Sequence, residues 1–189
     1  MLTHSARIDK ALVKAMQLHA AQRRKHDGET PFIVHPIGVA MVLSQFTQDE
    51  ALIAAALLHD TVEDTDYTGE QLRADFGDEI ADIVLEVTEP PRKEATWEER
   101  KEAYLQRIAT NSREARMITC GDKINNLASM ITAFEEQGES MWGKFNERSF
   151  WFYGRVLEAL RKHNDLGPLL DLFATTLQRA EKTFQRKAL

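Results

Sequence analysis

In the run Leu57-Leu58-His59-Asp60-Thr61-Val62-Glu63-Asp64-Thr65 an apolar, helix-like stretch stops abruptly at a histidine and three carboxylates. Acids placed directly behind a Leu-Leu pair need a solvated cleft or a partner, because an isolated buried carboxylate is costly. Imidazole nitrogen and carboxylate oxygen are standard ligands for Mn, Fe, Co, Ni or Zn, so His59 and Asp60 at a helix end could both reach one ion. Alone, the pair reads first as a polar helix terminus. In Gly121-Asp122-Lys123-Ile124-Asn125-Asn126, Asp122 and Asn126 are four apart and share a helical face. That places a carboxylate one turn from an amide able to hold a ribose or phosphate oxygen. His35, between Val34 and Pro36, reads by itself as a hydrogen-bonded core histidine. Together, His35, His59, Asp60 and Asp122 supply two imidazoles and two carboxylates, which leaves positions in a six-coordinate shell for water and substrate.

The elements that must position these groups are all helical. Ile8, Leu12, Ala15, Met16 and His19 recur at helical spacing and predict an amphipathic helix over roughly Ser5 to Arg24. Pro36 suits the first turn of a helix running to about Phe46. Capping-box spacing marks Thr47 with Glu50, Thr68 with Gln71 and Thr96 with Glu99 as helix starts. The first of these begins the Ala-rich run Ala51 to Leu58, which delivers His59 at its end. Gly77 closes the Thr68 helix, and Asp78 to Val87 forms the next. Pro90 and Pro91 enforce a loop. Helices follow over Trp97 to Ala109, Ser112 towards Glu136, Phe145 to His163 and Pro168 to Arg186. No long β-alternation occurs, so the expected class is all-α, a bundle of about eight or nine helices.

The 189 residues predict a single domain, 1–189, with 43% hydrophobic and 29% charged residues, as in globular proteins. Charged Arg7, Asp9 and Lys10 interrupt the N-terminal apolar residues, which excludes a signal-peptide core there, and no long apolar run suggests a membrane span. The single cysteine, Cys120, rules out an internal disulfide, fits a cytoplasmic protein and reads as a core residue. A net charge of −6 argues against a general nucleic-acid partner. The segment Trp142, Phe150, Trp151, Phe152 and Tyr153 is core or interface, with core favoured, and the oligomeric state is open.

The order His35, His59-Asp60, Asp122 resembles the HD phosphohydrolase superfamily. The wider text is closer still to one branch. Arg24-Lys25, Thr30-Pro31-Phe32-Ile33-Val34-His35-Pro36, His59-Asp60-Thr61-Val62-Glu63-Asp64-Thr65 and Asp122-Lys123-Ile124-Asn125-Asn126 resemble the hydrolase domain of RelA/SpoT-type alarmone enzymes. The likeness spans about Ala6 to Met130, and the chain length matches the small alarmone hydrolases, with no room for a synthetase domain.

The resemblance implies that His35, His59, Asp60 and Asp122 hold Mn²⁺, and that Glu63 and Asp64 assist attack of water on the 3′-phosphate of a small-molecule nucleotide. It implies that Arg24 and Lys25 lie against base and phosphates and that Asn126 contacts the ribose and 3′ side, with Ser129 in the same neighbourhood. The activity implied is release of pyrophosphate from the 3′ position of (p)ppGpp or (p)ppApp. Because the substrate is anionic and the protein acidic, Arg23 to Lys25 and the later pairs Arg92-Lys93 and Arg100-Lys101 are the available cations, although solvated faces are expected for the later pairs. Three departures touch the nucleotide site. His26 stands near the base where relatives often have a small polar residue, Ala128 replaces a common arginine, and Asn125 replaces a common aromatic or histidine. They make an adenine alarmone a serious alternative to a guanine one. Two other readings stay open: an HD phosphohydrolase acting on a 5′-nucleotide or NADPH, and a module that binds alarmones without cleaving them.

Overall fold

The computed structural model describes residues 5–24, 28–89, 96–138 and 147–185. Within them the order is α1 (Ala6–Leu18), α2 (Val34–Leu43), α3 (Glu50–Leu58), α4 (Thr61–Asp64), α5 (Gly69–Phe76), α6 (Asp78–Val87), α7 (Trp97–Ile108), α8 (Arg113–Gln137), α9 (Glu147–Arg161) and α10 (Pro168–Gln185). The all-α expectation holds. The single turn α4 was too short to be seen in the sequence, and the other nine helices match the number expected. The only β-type pairing among the described residues is an isolated Arg23–Pro31 bridge.

At the centre is α3, in which every residue from Ala51 to Leu58 is buried. Burying one Leu or Ile side chain contributes roughly 1.5–3 kcal/mol, so this short helix is held by packing on all sides against α1, α2 and α6. Its small alanines bring those neighbours close. The 25-residue α8 forms a second spine, packed against α2, α6, α9 and α10. Gly121 admits α2, since a Cβ there would lie 3.1 Å from Leu43. Rings of Phe134 and Phe184, 4.4 Å apart between centroids, join α8 to α10.

Local chemistry explains most boundaries. Capping boxes at Thr68 with Gln71 and Thr96 with Glu99 are both formed. Gly77 closes α5 and opens α6 at φ +82°, a backbone angle that favours glycine. The Thr47 start is corrected: Asp49 caps α3, accepting from the Ala51 and Leu52 amides, while the Thr47 hydroxyl accepts from the Asp49 amide. The first helix is also shorter than expected. It stops at Leu18 because the following backbone turns to pair with the segment before α2, through Arg24 N–H to Thr30 and Phe32 N–H to Gln22.

Cys120 is buried in the core, which pushes its thiol pKa up. Of the aromatic segment, Phe152 is core, Tyr153 is half-buried and Trp151 remains 50% exposed beside Trp97. Trp142, Phe145, Arg186 and the Pro90-Pro91 loop lie outside the described residues. No described helix is long and apolar enough to cross a membrane.

Candidate metal and nucleotide site

Four helices bring the chemistry together. His35 sits in the first turn of α2, His59 ends α3, Asp60 opens α4, and Asp122 projects from the middle of α8. One potential ligand atom from each of His35, His59 and Asp60 lies within 4.8 Å of the others. His59 Nε2 is 3.2 Å from Asp60 Oδ1, and His35 Nε2 is 3.5 Å from Asp60 Oδ2. Asp122 adjoins this trio through its Oδ1, 3.2 Å from His35 Nε2, without joining the mutually close set.

The imidazoles are oriented from behind. His59 Nδ1 donates to the Ala56 carbonyl at 2.8 Å, and His35 Nδ1 to Asn125 Oδ1 at 2.8 Å. Each ring thereby turns Nε2 towards the carboxylates. His59 Nε2 is buried with no hydrogen-bond partner among the described residues, and a buried nitrogen left so while facing a carboxylate is what a bound cation would satisfy. The two nitrogens and one carboxylate fit a divalent metal of the first transition row.

The site's charges are strongly coupled. Burial works to lower the His35 pKa, but the hydrogen bond to Asp122 and the charges of Asp60 and Asp122 outweigh it and raise the pKa. Burial opposes ionisation of Asp122, yet the Lys123 ammonium and His35 hold its carboxyl well below the usual carboxylate range. Lys123 Nζ stands 2.6 Å from Asp122 Oδ2 and 4.9 Å from the Tyr104 ring centre. Although burial would lower it, the Asp122 charge keeps its pKa well above normal.

A cavity of about 490 Å³ opens onto these groups, and Arg24, Glu63, Asp64, Asn126 and Ser129 all line it. Glu63 Oε2 accepts from the Glu89 amide at 3.0 Å. Burial, together with the carboxylates of Glu89, Asp60 and Asp64, raises the Glu63 pKa despite that hydrogen bond. Gln22 Nε2 donates to the Asp64 carbonyl at 2.6 Å, tying α4 to the chain after α1. Arg24 Nη2 donates to Asn126 Oδ1 at 3.2 Å, and Asn126 Nδ2 donates to Asp122, so a polar chain runs from guanidinium to carboxylate. Lys25 and His26 lie outside the described residues, as do Arg92 and Lys93.

Several wall residues carried no role in the sequence reading. Tyr104 from α7, Thr119 and Lys123 from α8, Tyr153 from α9 and Glu89 all line the cavity. Burial pushes the Tyr153 pKa up to about 12. A lysine on an otherwise apolar helical face was a usable signal for Lys123, since a buried ammonium must find a partner. The solvated face expected for Arg100 and Lys101 is corrected. Lys101 Nζ lies 2.8 Å from Glu89 Oε1, Arg100 Nη1 lies 3.7 Å from Glu89 Oε2, and the two cationic side chains are only 17% and 20% exposed, respectively. Charge pairing with Glu89 and packing of Lys101 over Phe152 draw them inward.

Comparison with known proteins accords with this arrangement. Residues 11–147 match the HD domain family. The chain is 39% identical over 169 residues to guanosine-3′,5′-bis(diphosphate) 3′-pyrophosphohydrolase MESH1 of Xenopus tropicalis, covering 88% of this chain and 91% of that protein. The human protein of the same name is 37% identical over 132 residues, which is 69% of this chain and 73% of the relative. A solved structure of a metazoan ortholog of SpoT that hydrolyzes ppGpp and plays a role in starvation responses superposes with a TM-score of 0.80 at 30% identity, over 100% of both chains. HD domains imply a divalent metal, and His35, His59 and Asp60 could hold one. By sequence, fold and the placement of its histidines and acids, the chain belongs to the HD-domain superfamily and, within it, to the small alarmone hydrolases of the RelA/SpoT type.

Proposed function

We propose that this protein is a Mn²⁺-dependent cytoplasmic hydrolase that removes the 3′-pyrophosphate from (p)ppGpp, (p)ppApp or both. The observation that carries the reading is the convergence of His35, His59 and Asp60, with His59 Nε2 lacking a hydrogen-bond partner among the described residues, in a cavity shared with Glu63, Asp64, Arg24 and Asn126. The activity named for the relatives supports it.

In this reading His35, His59, Asp60 and Asp122 hold the ion. When bound, it lowers the pKa of a ligated water and offsets charge on the attacked phosphate. Glu63 takes the proton of the attacking water, and its raised pKa brings it closer to the operating pH, where general bases are most effective. Asp64, on the same helical turn, orients that water. The water oxygen bonds to the phosphorus on the 3′-oxygen, the phosphorus–3′-oxygen bond breaks, Glu63 releases its proton to solvent while the leaving 3′-oxygen takes one up, and the nucleotide departs with a 3′-hydroxyl while pyrophosphate carries the new oxygen. Arg24, with Lys25 and His26 beside it in sequence, binds base and phosphates, and Asn126 and Ser129 contact the ribose side. The Arg24–Asn126 hydrogen bond supports this by presetting the guanidinium towards the cavity.

The test is the initial rate of pyrophosphate release from ppGpp and from ppApp with Mn²⁺, beside an Asp60→Ala control. Release that disappears in the control is expected, and the ratio of the two rates assigns the base. Orthophosphate as the product, or an active Asp60→Ala enzyme, refutes the proposal.

A further inference from the structure

His35 and His59 present the same nitrogen to Asp60 but are held by different kinds of partner. The carbonyl behind His59 belongs to the backbone of Ala56, so no side-chain substitution at that position deletes it. Behind His35 stands a side chain from another helix, Asn125 of α8. Its fit depends on a gap in α2. A Cβ at Gly38 would lie 2.2 Å from Asn125 Nδ2 and 3.0 Å from its Cγ, so the amide occupies space that only glycine leaves open. Glycine inside a helix is otherwise unfavourable, because it loses more backbone freedom on folding than alanine.

We propose that Asn125 is a positioning residue that fixes His35 for metal binding, and that Gly38 serves to admit its amide. The inference rests on the metal site proposed above. An amide oxygen accepts and cannot donate, so Asn125 Oδ1 keeps a proton on His35 Nδ1 whether the ring is neutral or charged. The nitrogen left to meet a cation is then Nε2, which faces Asp60 and Asp122. Removing such a partner behind a ligating histidine typically weakens metal binding by about 10–100-fold.

Calorimetric titration of the metal-stripped full chain with MnCl₂ tests this, with thermal melts of every variant. Asn125→Ala should bind Mn²⁺ about 10–100-fold more weakly than the parent. Asn125→Asp, which keeps an acceptor oxygen, should restore affinity. Gly38→Ala should weaken binding with little change in melting temperature, because the atom it displaces is the far end of a side chain free to rotate. Added to Asn125→Ala, it should cost nothing more, since no amide remains to be displaced. Parent-like affinity in both single alanine variants overturns the inference, as does failure of the aspartate to rescue. If the parent chain binds no Mn²⁺, or His59→Ala binds as the parent does, the metal-site reading itself falls and takes this inference with it.

Discussion

Replacing Glu63 by Gln separates its proposed proton-transfer role from metal binding. The substitution preserves shape, and the glutamine oxygen can still accept from the Glu89 amide that meets Glu63 Oε2 at 3.0 Å. What disappears is a group able to take a proton from water. General-base catalysis contributes about 10²–10⁴-fold, equivalent to roughly 2.7–5.4 kcal/mol of barrier, and kcat should fall by that factor. Manganese affinity should stay within about threefold, well short of the 10–100-fold typical for loss of a partner behind a ligand, because Glu63 is not among the four proposed ligands and its Oε2 is engaged by the Glu89 amide. Pyrophosphate release at saturating ppGpp and calorimetric Mn²⁺ titration on one preparation measure both quantities. An undiminished kcat, or loss of metal as the main effect, would refute the assignment of Glu63 as base.

The same variant carries a stability signature with a defined sign. Burial raises the Glu63 pKa in the folded chain above its unfolded value, so the folded state holds this proton more tightly. Stability therefore falls as pH rises from the unfolded pKa through the folded one, and the penalty is fully present above both. In metal-stripped protein, Glu63→Gln should melt at or above the parent's temperature near neutral pH, and that advantage should vanish in acid. A variant less stable than the parent at neutral pH but equal to it in acid would reverse the sign and contradict the assigned shift.

Other perturbations address separate parts of the structure. His59→Ala should abolish Mn²⁺ binding and turnover together while circular dichroism remains helical, because the lost Nε2 belongs to the donor trio. Glu89→Gln should move the acid limb of the kcat/KM profile to lower pH: burial is the leading cause of the raised Glu63 pKa, but the Glu89 charge adds to it, and removing that charge lowers the pKa. An acid limb that stays in place or moves upward would contradict that coupling. Asp49→Ala should cost about 1 kcal/mol in denaturant unfolding, the usual value of an N-cap, and Thr47→Ala distinctly less, because Asp49 accepts the two α3 amides.

What the sequence revealed, and what it did not, follows from the range of the interactions involved. The Thr68 and Thr96 caps were legible because a capping box closes within four residues. Thr47 misled because two cap-capable residues stand close together, and only the backbone entering α3 decides which faces its first amides. The early end of α1 was hidden because pairing with residues 30–32 supersedes the helical pattern. His59-Asp60 was conspicuous as charge directly behind an apolar run. Tyr104 and Tyr153 were not, since they join the wall only after α7, α8 and α9 pack.

His35 shows how local pattern and distant packing divide the work. In sequence it is a histidine between valine and proline, indistinguishable from a core residue. Its proposed role depends on Asn125, 90 positions away, and on a glycine that makes room for that amide. Periodicity records neither requirement, because an asparagine and a glycine both weaken the pattern that announces a helix. Residues that look like local defects in α2 and α8 are therefore informative once the helices meet. In the proposed role, the cost each imposes on its own helix is set against fixing an imidazole of α2 towards Asp60 at the start of α4 and Asp122 in α8.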